Sequence, residues 1–137
     1  MNDTVTLVDY YYTTVPDKPG EGARVLGALR DAGVNLLAFS GFPEGRRAQL
    51  DFVPADAATF VAAAKAGKVK LSRPKKAFLI NGDDRRGAAA ELFQRLAAAN
   101  ISITACDAVC AGAGRFGAIL WVKPRDVKKA AAALGVM

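Results

Sequence analysis

Two short loops carry the side chains best suited to binding a small charged molecule. The first, residues 17–22, has the sequence Asp-Lys-Pro-Gly-Glu-Gly and comes directly before a predicted helix. A helix start exposes unpaired backbone N–H groups and a partial positive charge, which favour a bound carboxylate. Asp17 offers a carboxylate to an ammonium group, Lys18 offers a cation to an anion, and glycine lets a ligand approach the backbone. This mixture of charges suits a zwitterion such as an amino acid.

The second loop, residues 81–87, has the sequence Asn-Gly-Asp-Asp-Arg-Arg-Gly and offers the same mixture of charges before another predicted helix. Both loops also have a purely structural interpretation. In that alternative, glycine sets the turn while Asp17 and Asp84 cap the helices that follow. The residue types alone do not decide between binding and capping.

An internal repeat relates the two loops to each other. Gly20 and Gly87 lie 67 positions apart, and the same shift superimposes apolar residues spaced i, i+1, i+4 in the helices that follow. The shift also places Gly33 on Asn100, and glycine and asparagine best tolerate the left-handed conformation that ends a helix. Each of the two helices is therefore expected to end there.

The hydrophobic pattern predicts the same order of elements in both copies. The order βαββαβ defines an α+β class with two tandem ferredoxin-like units, each an antiparallel sheet with helices packed on one face. The predicted domains are 1–71 and 76–137, joined by a linker at 72–75, and the last strand of the second unit is short or absent. The predicted strands are 5–14, 34–40, 46–53, 68–71, 76–81, 101–110 and 115–122, and the predicted helices are 20–32, 55–66, 87–99 and 124–134.

Two further patterns point to other ligands. Residues 112–117 satisfy the dinucleotide-binding pattern G-x-G-x-x-G, but they join two predicted strands, whereas that pattern needs a helix after the turn. We therefore interpret them as a hairpin turn. Residues 115–121 partly match the strand motif of RNA-recognition domains, which share the βαββαβ order, but Ala118 stands where a stacking aromatic is expected. The tyrosines at 10–12 are the remaining candidates for stacking on bases.

Composition narrows the functional classes. The 137 residues are 52% hydrophobic, and no apolar run approaches the length of a membrane span, so we expect a soluble cytoplasmic protein without membrane association. The absence of histidine removes imidazole acid–base catalysis and histidine-ligated metals. Cys106 and Cys110 are expected as two buried thiols. No catalytic residue, metal site or cofactor is predicted.

The net charge of +6 is concentrated at residues 65–76, where six basic side chains occur with no acidic one. Such a stretch can contact nucleic-acid phosphates. It is more typical of a solvated helix end, an edge strand protected by lysine and a linker. Nucleic acid is therefore not the expected partner.

The chain resembles the ACT domain family of small-molecule-binding regulatory modules, and in particular the stand-alone proteins with two consecutive ACT domains. The resemblance covers essentially the whole chain. It implies ligand binding between paired domains, where the loop before the first helix faces the start of the second strand of a neighbouring domain. The matching residues are 17–20 and 32–36 in the first copy, and 78–81, 87, 99–103 and 116–120 in the second.

By position, the resemblance points to the two loops together with Asn35 in the first copy and Ser102 in the second. The second copy departs from the family, because Arg86 precedes its glycine where proline is usual and Ser102 replaces asparagine. The first loop is therefore the one expected to bind as the family does. The predicted ligand-binding residues are Asp17, Lys18, Pro19, Gly20, Glu21, Gly22, Asn35, Asp84, Arg85, Arg86, Gly87 and Ser102.

These observations predict a non-enzymatic regulatory protein that binds a small molecule, with an amino acid as the expected ligand, between paired ACT-like domains. The resemblance also implies a homodimer and a metabolic enzyme as the regulated partner. An RNA-binding ferredoxin-like module and a small enzyme of unknown reaction remain as alternatives.

Overall fold

The computed structural model describes residues 3–136, and in them strands and helices follow one another as the repeat requires. The predicted α+β class is confirmed. The elements of the first half are β1 (Thr4–Pro16), α1 (Glu21–Asp31), β2 (Leu36–Glu44), β3 (Arg47–Pro54) and α2 (Ala57–Ala66). Those of the second half are β4 (Lys75–Asp83), α3 (Ala88–Ala98), β5 (Ile103–Gly112), β6 (Arg115–Val122), a 3-10 turn (Pro124–Asp126) and α4 (Val127–Leu134).

Contacts divide the chain into two units, and one of them is not contiguous in sequence. The first unit is Asp9–Lys75, and the second combines Met1–Val8 with Lys76–Met137. Strand β1 therefore supplies residues 4–8 to the second unit and the rest of its length to the first. The assignment of two ACT-like domains to 1–71 and 76–137 stays a prediction, and this grouping differs from it in the first eight residues.

The first unit contains three paired strands in the order β2-β3-β1, and both pairings are antiparallel. The register places Tyr11 opposite Phe52 and Pro16 opposite Arg47. Side chains alternate between the two faces of a strand, so one face of this sheet meets α1 and α2. The core on that face contains Tyr11, Val15, Val25, Leu29, Leu50, Phe52, Phe60 and Ala63.

Aromatic rings form the centre of this first core. The ring of Phe60 in α2 lies 5.2 Å from that of Tyr11 and 5.4 Å from that of Phe52, centre to centre, in tilted arrangements. Such pairs stabilise by about 0.5–1.5 kcal/mol beyond the area that they bury. Helix α2, which is mostly alanine, is therefore held to the sheet chiefly through one phenylalanine.

The second unit contains β4, β6 and β5 in that order, again with antiparallel pairing. Phe78 lies opposite Leu120, and Asp83 lies opposite Arg115. The beginning of β1 lies on the other side of β4, where Val5 and Leu7 pack against the second core. That core is built chiefly from Phe78, Ile80, Leu92, Leu96, Phe116, Leu120, Ala130 and Leu134.

The predicted strand at 68–71 is wrong. No strand is assigned between α2 and β4, and Lys68 adopts a left-handed conformation with a φ of 58°. The segment nevertheless lies beside β1, because the Ser72 N–H donates to the Tyr12 carbonyl at 2.8 Å and the Tyr12 N–H donates to Ser72 Oγ at 3.0 Å. In the second unit no strand follows α4 within residues 3–136, as predicted, and the start of β1 lies beside β4 instead.

The left-handed residues predicted to end the first helix of each copy are confirmed. Gly33 has a φ of 81° and Asn100 a φ of 60°. After each, a backbone N–H turns back into the helix, from Val34 to the Leu29 carbonyl at 3.0 Å and from Ile101 to the Leu96 carbonyl at 2.9 Å. These hydrogen bonds satisfy carbonyls that the helix end leaves unpaired.

The second helix of each copy begins later than predicted. Helix α2 starts at Ala57, because Asp56 is its N-cap and accepts hydrogen bonds from the Ala58 N–H at 3.1 Å and from Thr59 Oγ1 at 2.8 Å. In the second copy a 3-10 turn opens with Pro124 and precedes α4. Within residues 3–136 no helix is long and apolar enough to cross a membrane.

Two glycines of the first copy, one inside α1 and one after it, make a matched pair for testing this helix end. Replacing Gly33 with alanine should destabilise the protein by about 1–2 kcal/mol, because its φ of 81° disfavours a Cβ atom. Replacing Gly27, inside α1, should instead stabilise by roughly 0.5–1 kcal/mol, because alanine is the better helix former and the nearest atom to a new Cβ is 3.8 Å away. Chemical denaturation of both variants measures the two signs, and equal effects would contradict this account of the helix end.

Candidate functional site

The first loop is a tight turn between β1 and α1. The Lys18 N–H donates to the Pro16 carbonyl at 3.0 Å, and the Arg24 N–H donates to the Gly20 carbonyl at 2.9 Å as the helix begins. Gly20 is the N-cap residue with a φ of 91°, and open space surrounds the position of a Cβ atom. Glycine is therefore required here by the backbone conformation and not by a close neighbour.

The side chains of the first loop remain accessible. Asp17, Lys18 and Pro19 are exposed, and neither Asp17 nor Lys18 forms a side-chain hydrogen bond or ion pair within the described part of the chain. The Glu21 carboxylate already has a partner, because it forms an ion pair with Arg24 at 3.0 Å. Asp17 does not cap α1, since the N-cap is Gly20 and no side chain bonds there. The capping alternative for this loop is therefore wrong.

Arg47, which the sequence analysis did not single out, lies beside this loop. It stands opposite Pro16 in the sheet register, and its guanidinium donates to Thr14 Oγ1 at 3.2 Å and to the Thr14 carbonyl at 3.1 Å. Both acceptors are neutral. The end of β1 therefore lies beside a guanidinium that no carboxylate among residues 3–136 pairs with.

Asn35 is not brought to the loop of its own unit. It lies exposed just before β2, and its backbone carbonyl accepts the Ala55 N–H at 2.9 Å. Helix α1, with 11 residues, separates it from Gly20, and a helix of that length spans about 16 Å. Ser102 and Gly87 are separated in the same way by the 11 residues of α3. Neither unit therefore joins its loop to its second-strand polar residue.

The second loop is closed by ion pairs. Arg85 Nη1 and Nη2 lie 2.9 Å and 3.0 Å from the two carboxylate oxygens of Asp3, and Nη2 also lies 3.2 Å from Glu91 Oε1. The Asp3 side chain is only 1% exposed. The hydrogen bonds that Arg85 donates to Asp3 raise the pKa of Arg85 above its ordinary value, so the guanidinium is always charged.

Backbone contacts complete the second loop. Gly87 is the N-cap of α3 with a φ of 75°, and no side chain caps this helix either. The Asp84 N–H donates to the Gly114 carbonyl at 2.8 Å. The Asp84 carboxylate accepts a hydrogen bond from Cys110 Sγ at 3.2 Å. Arg86 is exposed. The capping alternative therefore fails for Asp84 as it does for Asp17.

The cation that corresponds to Arg47 is also neutralised in the second unit. Arg115 lies opposite Asp83, and its guanidinium contacts Asp83 Oδ1 at 2.7 Å and Asn81 Oδ1 at 2.8 Å. In the second unit the loop and the adjoining strand therefore each pair an arginine with a carboxylate. In the first unit, the corresponding Lys18 and Arg47 have no carboxylate partner among residues 3–136.

The expectation of two buried thiols is wrong for one cysteine. Cys106 packs against the second core and is partly buried, whereas Cys110 lies near the hairpin end of the edge strand β5 and is exposed. The hydrogen bond with Asp84 raises the pKa of the Cys110 thiol, so the thiol is less reactive than an ordinary exposed cysteine. Within the described residues no group of three or more Cys, Asp or Glu side chains is placed to hold a metal ion.

The glycine-rich segment 112–117 is the predicted hairpin turn. Gly112 lies opposite Arg115, and Ala113 and Gly114 between them have φ values of 57° and 70°. Two left-handed residues define the tight turn that suits the twist of antiparallel strands.

Of the tyrosines considered for base stacking, Tyr11 is buried in the first core. Tyr12 is half-buried, and the Lys75 Nζ lies 5.7 Å from the centre of its ring.

Asp51 is a buried carboxylate that the sequence pattern did not reveal. It lies on the sheet face of the first unit away from the helices, is 6% exposed, and accepts a hydrogen bond from Gln49 Nε2 at 2.9 Å. Burial raises the pKa of Asp51 despite this hydrogen bond and the nearby Lys75. Burial, followed by the charges of Asp51 and Tyr12, likewise raises the pKa of Tyr10.

Comparison with known proteins identifies the fold. No protein-family model matches the chain, and no curated protein matches it. A protein from Bacteroides thetaiotaomicron has a similar structure, with a TM-score of 0.81 and 17% sequence identity over 96% of this chain and 88% of that one. The α and β subunits of an aspartokinase give a TM-score of 0.62 at 17% identity, covering 98% of this chain and 95% of the other.

A regulatory subunit of aspartate kinase from Thermus thermophilus, in its ligand-free form, gives a TM-score of 0.61 at 20% identity over 96% of this chain and 94% of that one. At such identities the similarity establishes the fold alone. The chain therefore has a ferredoxin-like, ACT-like fold that is also found in aspartate kinase regulatory subunits.

Two carboxylates of the first unit should respond to pH with opposite signs. Because the folded-state pKa of Asp51 is raised, its charge costs stability above the ordinary value of 3.8, so Asp51→Asn should raise the Tm at neutral pH and lose this advantage as the pH falls toward 3.8. The hydrogen bonds from Thr59 and Ala58 lower the pKa of Asp56, so the carboxylate stabilises above 3.8. Asp56→Asn should therefore lower the Tm at neutral pH and match the wild type in acid.

Thermal melts of the two variants across this pH range measure both effects. A neutral-pH Tm that changes in the same direction for both variants would contradict the assignment of Asp51 as a carboxylate that burial destabilises.

Proposed function

We propose that the chain is a non-enzymatic regulatory protein that binds an amino acid through residues 17–22 of the first unit. The observation that carries the proposal is the exposure of Asp17 and Lys18 beside the start of α1, with no side-chain partner among residues 3–136. The fold adds support, since several proteins that share it are described as regulatory subunits or a regulatory domain of aspartate kinase.

The chemistry of the loop fits both ends of an amino acid. The first amides of α1 have no intrahelical acceptor and point out of the helix, so they and Lys18 attract the carboxylate. The carboxylate of Asp17 accepts hydrogen bonds from the ammonium group and repels a second carboxylate. A ligand with only one of the two charges loses one of these interactions and binds more weakly.

We further propose that the site is completed by Asn35 of a neighbouring domain in a homodimer. Asn35 lies about 16 Å from the loop of its own unit along α1, so it cannot contact a ligand held there. A ligand held between two domains stabilises the paired arrangement over the unpaired one. A ligand can regulate a partner only if its affinity differs between the paired and the unpaired arrangement of domains. We propose that the regulated partner is a metabolic enzyme in the cytoplasm.

A thermal-shift screen against the standard amino acids tests the proposal. A ligand present at 100 times its Kd adds about 2.7 kcal/mol of stability, which gives a clear rise in Tm. If no amino acid raises the Tm, the proposed ligand class is wrong. Turnover of an added metabolite by the purified protein would contradict the non-enzymatic assignment.

Lys18 provides the most direct mutational test of the site. Lys18→Ala should weaken binding of the amino acid found in the screen about tenfold, because it removes one charge-assisted contact. The Tm of the free protein should stay unchanged, since the Lys18 side chain is exposed and has no partner within the described residues. Lys123→Ala, which removes an exposed lysine of the second unit, serves as the control and should leave the Kd unchanged. Equal affinities of the Lys18 variant and this control would place the ligand elsewhere.

A further inference from the structure

The second loop already holds a carboxylate, and that carboxylate belongs to the same chain. Asp3 lies 82 positions before Arg85 in sequence and binds its guanidinium through both oxygens, at 2.9 Å and 3.0 Å. The carboxylate is almost fully buried, whereas Arg85 remains about 30% exposed. A buried carboxylate in two-point contact with an arginine is the geometry in which proteins recognise free carboxylates.

The surroundings of Asp3 are shaped to receive it. Gly82 is buried, and a Cβ atom added there would collide with the Asp3 carboxylate and lie 2.8 Å from the Phe116 ring. The Arg85 guanidinium lies 5.8 Å from the centre of the same ring. Bare backbone at Gly82 therefore leaves the space that the carboxylate occupies, between an aromatic ring and a cation.

The first copy lacks this arrangement at the matching positions. A shift of 67 places Val15 on Gly82 and Lys18 on Arg85. Val15 is 4% exposed and its side chain belongs to the first core, whereas Gly82 has no side chain and leaves room for a carboxylate. Lys18 is exposed and has no carboxylate partner among residues 3–136.

We propose that the second loop is a carboxylate-binding site that the chain's own Asp3 occupies, so that a free carboxylate reaches it only when Asp3 is withdrawn. Because Asp3 fills the second loop, each chain should bind one amino acid and not two. This expectation rests on the proposed function. The occupancy by Asp3 itself does not.

Chemical rescue tests the occupancy without any knowledge of the natural ligand. Asp3→Ala leaves Glu91 as the one carboxylate paired with Arg85 among residues 3–136 and should lower the Tm. Sodium acetate, whose carboxylate fits the space vacated by the side chain, should then raise the Tm of this variant by about 3 °C or more relative to sodium chloride at the same ionic strength. The wild type and the double variant Asp3→Ala/Arg85→Ala should show no difference between acetate and chloride.

Equal responses to acetate and chloride in Asp3→Ala, or the same acetate effect in all three proteins, would overturn the proposal. If Asp3→Ala is unfolded at room temperature, the acetate-dependent regain of its circular dichroism signal replaces the melt, and the absence of any regain would count against the site. Gly82→Ala gives an independent check, because its Cβ atom fills the space of the carboxylate, and the double variant Asp3→Ala/Gly82→Ala should therefore show no acetate rescue.

Calorimetric titration tests the occupancy of the second loop separately from amino-acid binding at the first. With the amino acid found in the thermal screen, the wild type should bind one molecule per chain and Asp3→Ala two. A wild type that binds two would contradict the occupancy by Asp3. A wild type that binds no amino acid would contradict the proposed function, while the acetate rescue still decides whether Arg85 holds a carboxylate site.

Discussion

Strand β1 belongs to both units, and the rest of the arrangement depends on this sharing. Residues 4–8 lie beside β4 in the second unit, while residues 11–16 pair with β3 in the first. The second unit has no strand after α4 within residues 3–136, so the start of β1 covers the side of β4 that would otherwise present unpaired backbone. The same placement brings Asp3 to Arg85 and thereby decides the chemistry of the second loop.

The two copies share a backbone plan but differ in how their charges are compensated. Both loops use a left-handed glycine to join a strand to a helix, at Gly20 and Gly87. In the second copy Arg85 and Arg115 are each neutralised by a carboxylate of the same unit. In the first copy the corresponding Lys18 and Arg47 meet water or neutral oxygens. The two copies therefore differ in the partners of their cations and not in the backbone of their loops.

Features set by neighbouring residues could be predicted from the sequence, and features set by distant ones could not. The helix ends at Gly33 and Asn100, the hairpin at 112–117 and the α+β class follow from local conformational preferences and hydrophobic spacing. The ion pair between Asp3 and Arg85 joins residues 82 positions apart, and no local pattern reveals it. The strand expected at 68–71 is wrong because its first two residues belong to the end of α2: Lys68 is left-handed, and the Val69 N–H donates back to the Ala64 carbonyl at 2.8 Å.

A crystal structure of the wild-type protein with the amino acid that stabilises it most would test the central claim directly. The account predicts one ligand at residues 17–22, with its ammonium group against Asp17 and its carboxylate toward Lys18 and the start of α1, and with the ion pair between Asp3 and Arg85 unchanged. A ligand bound at Arg85 in place of Asp3, or one bound away from both loops, would contradict it.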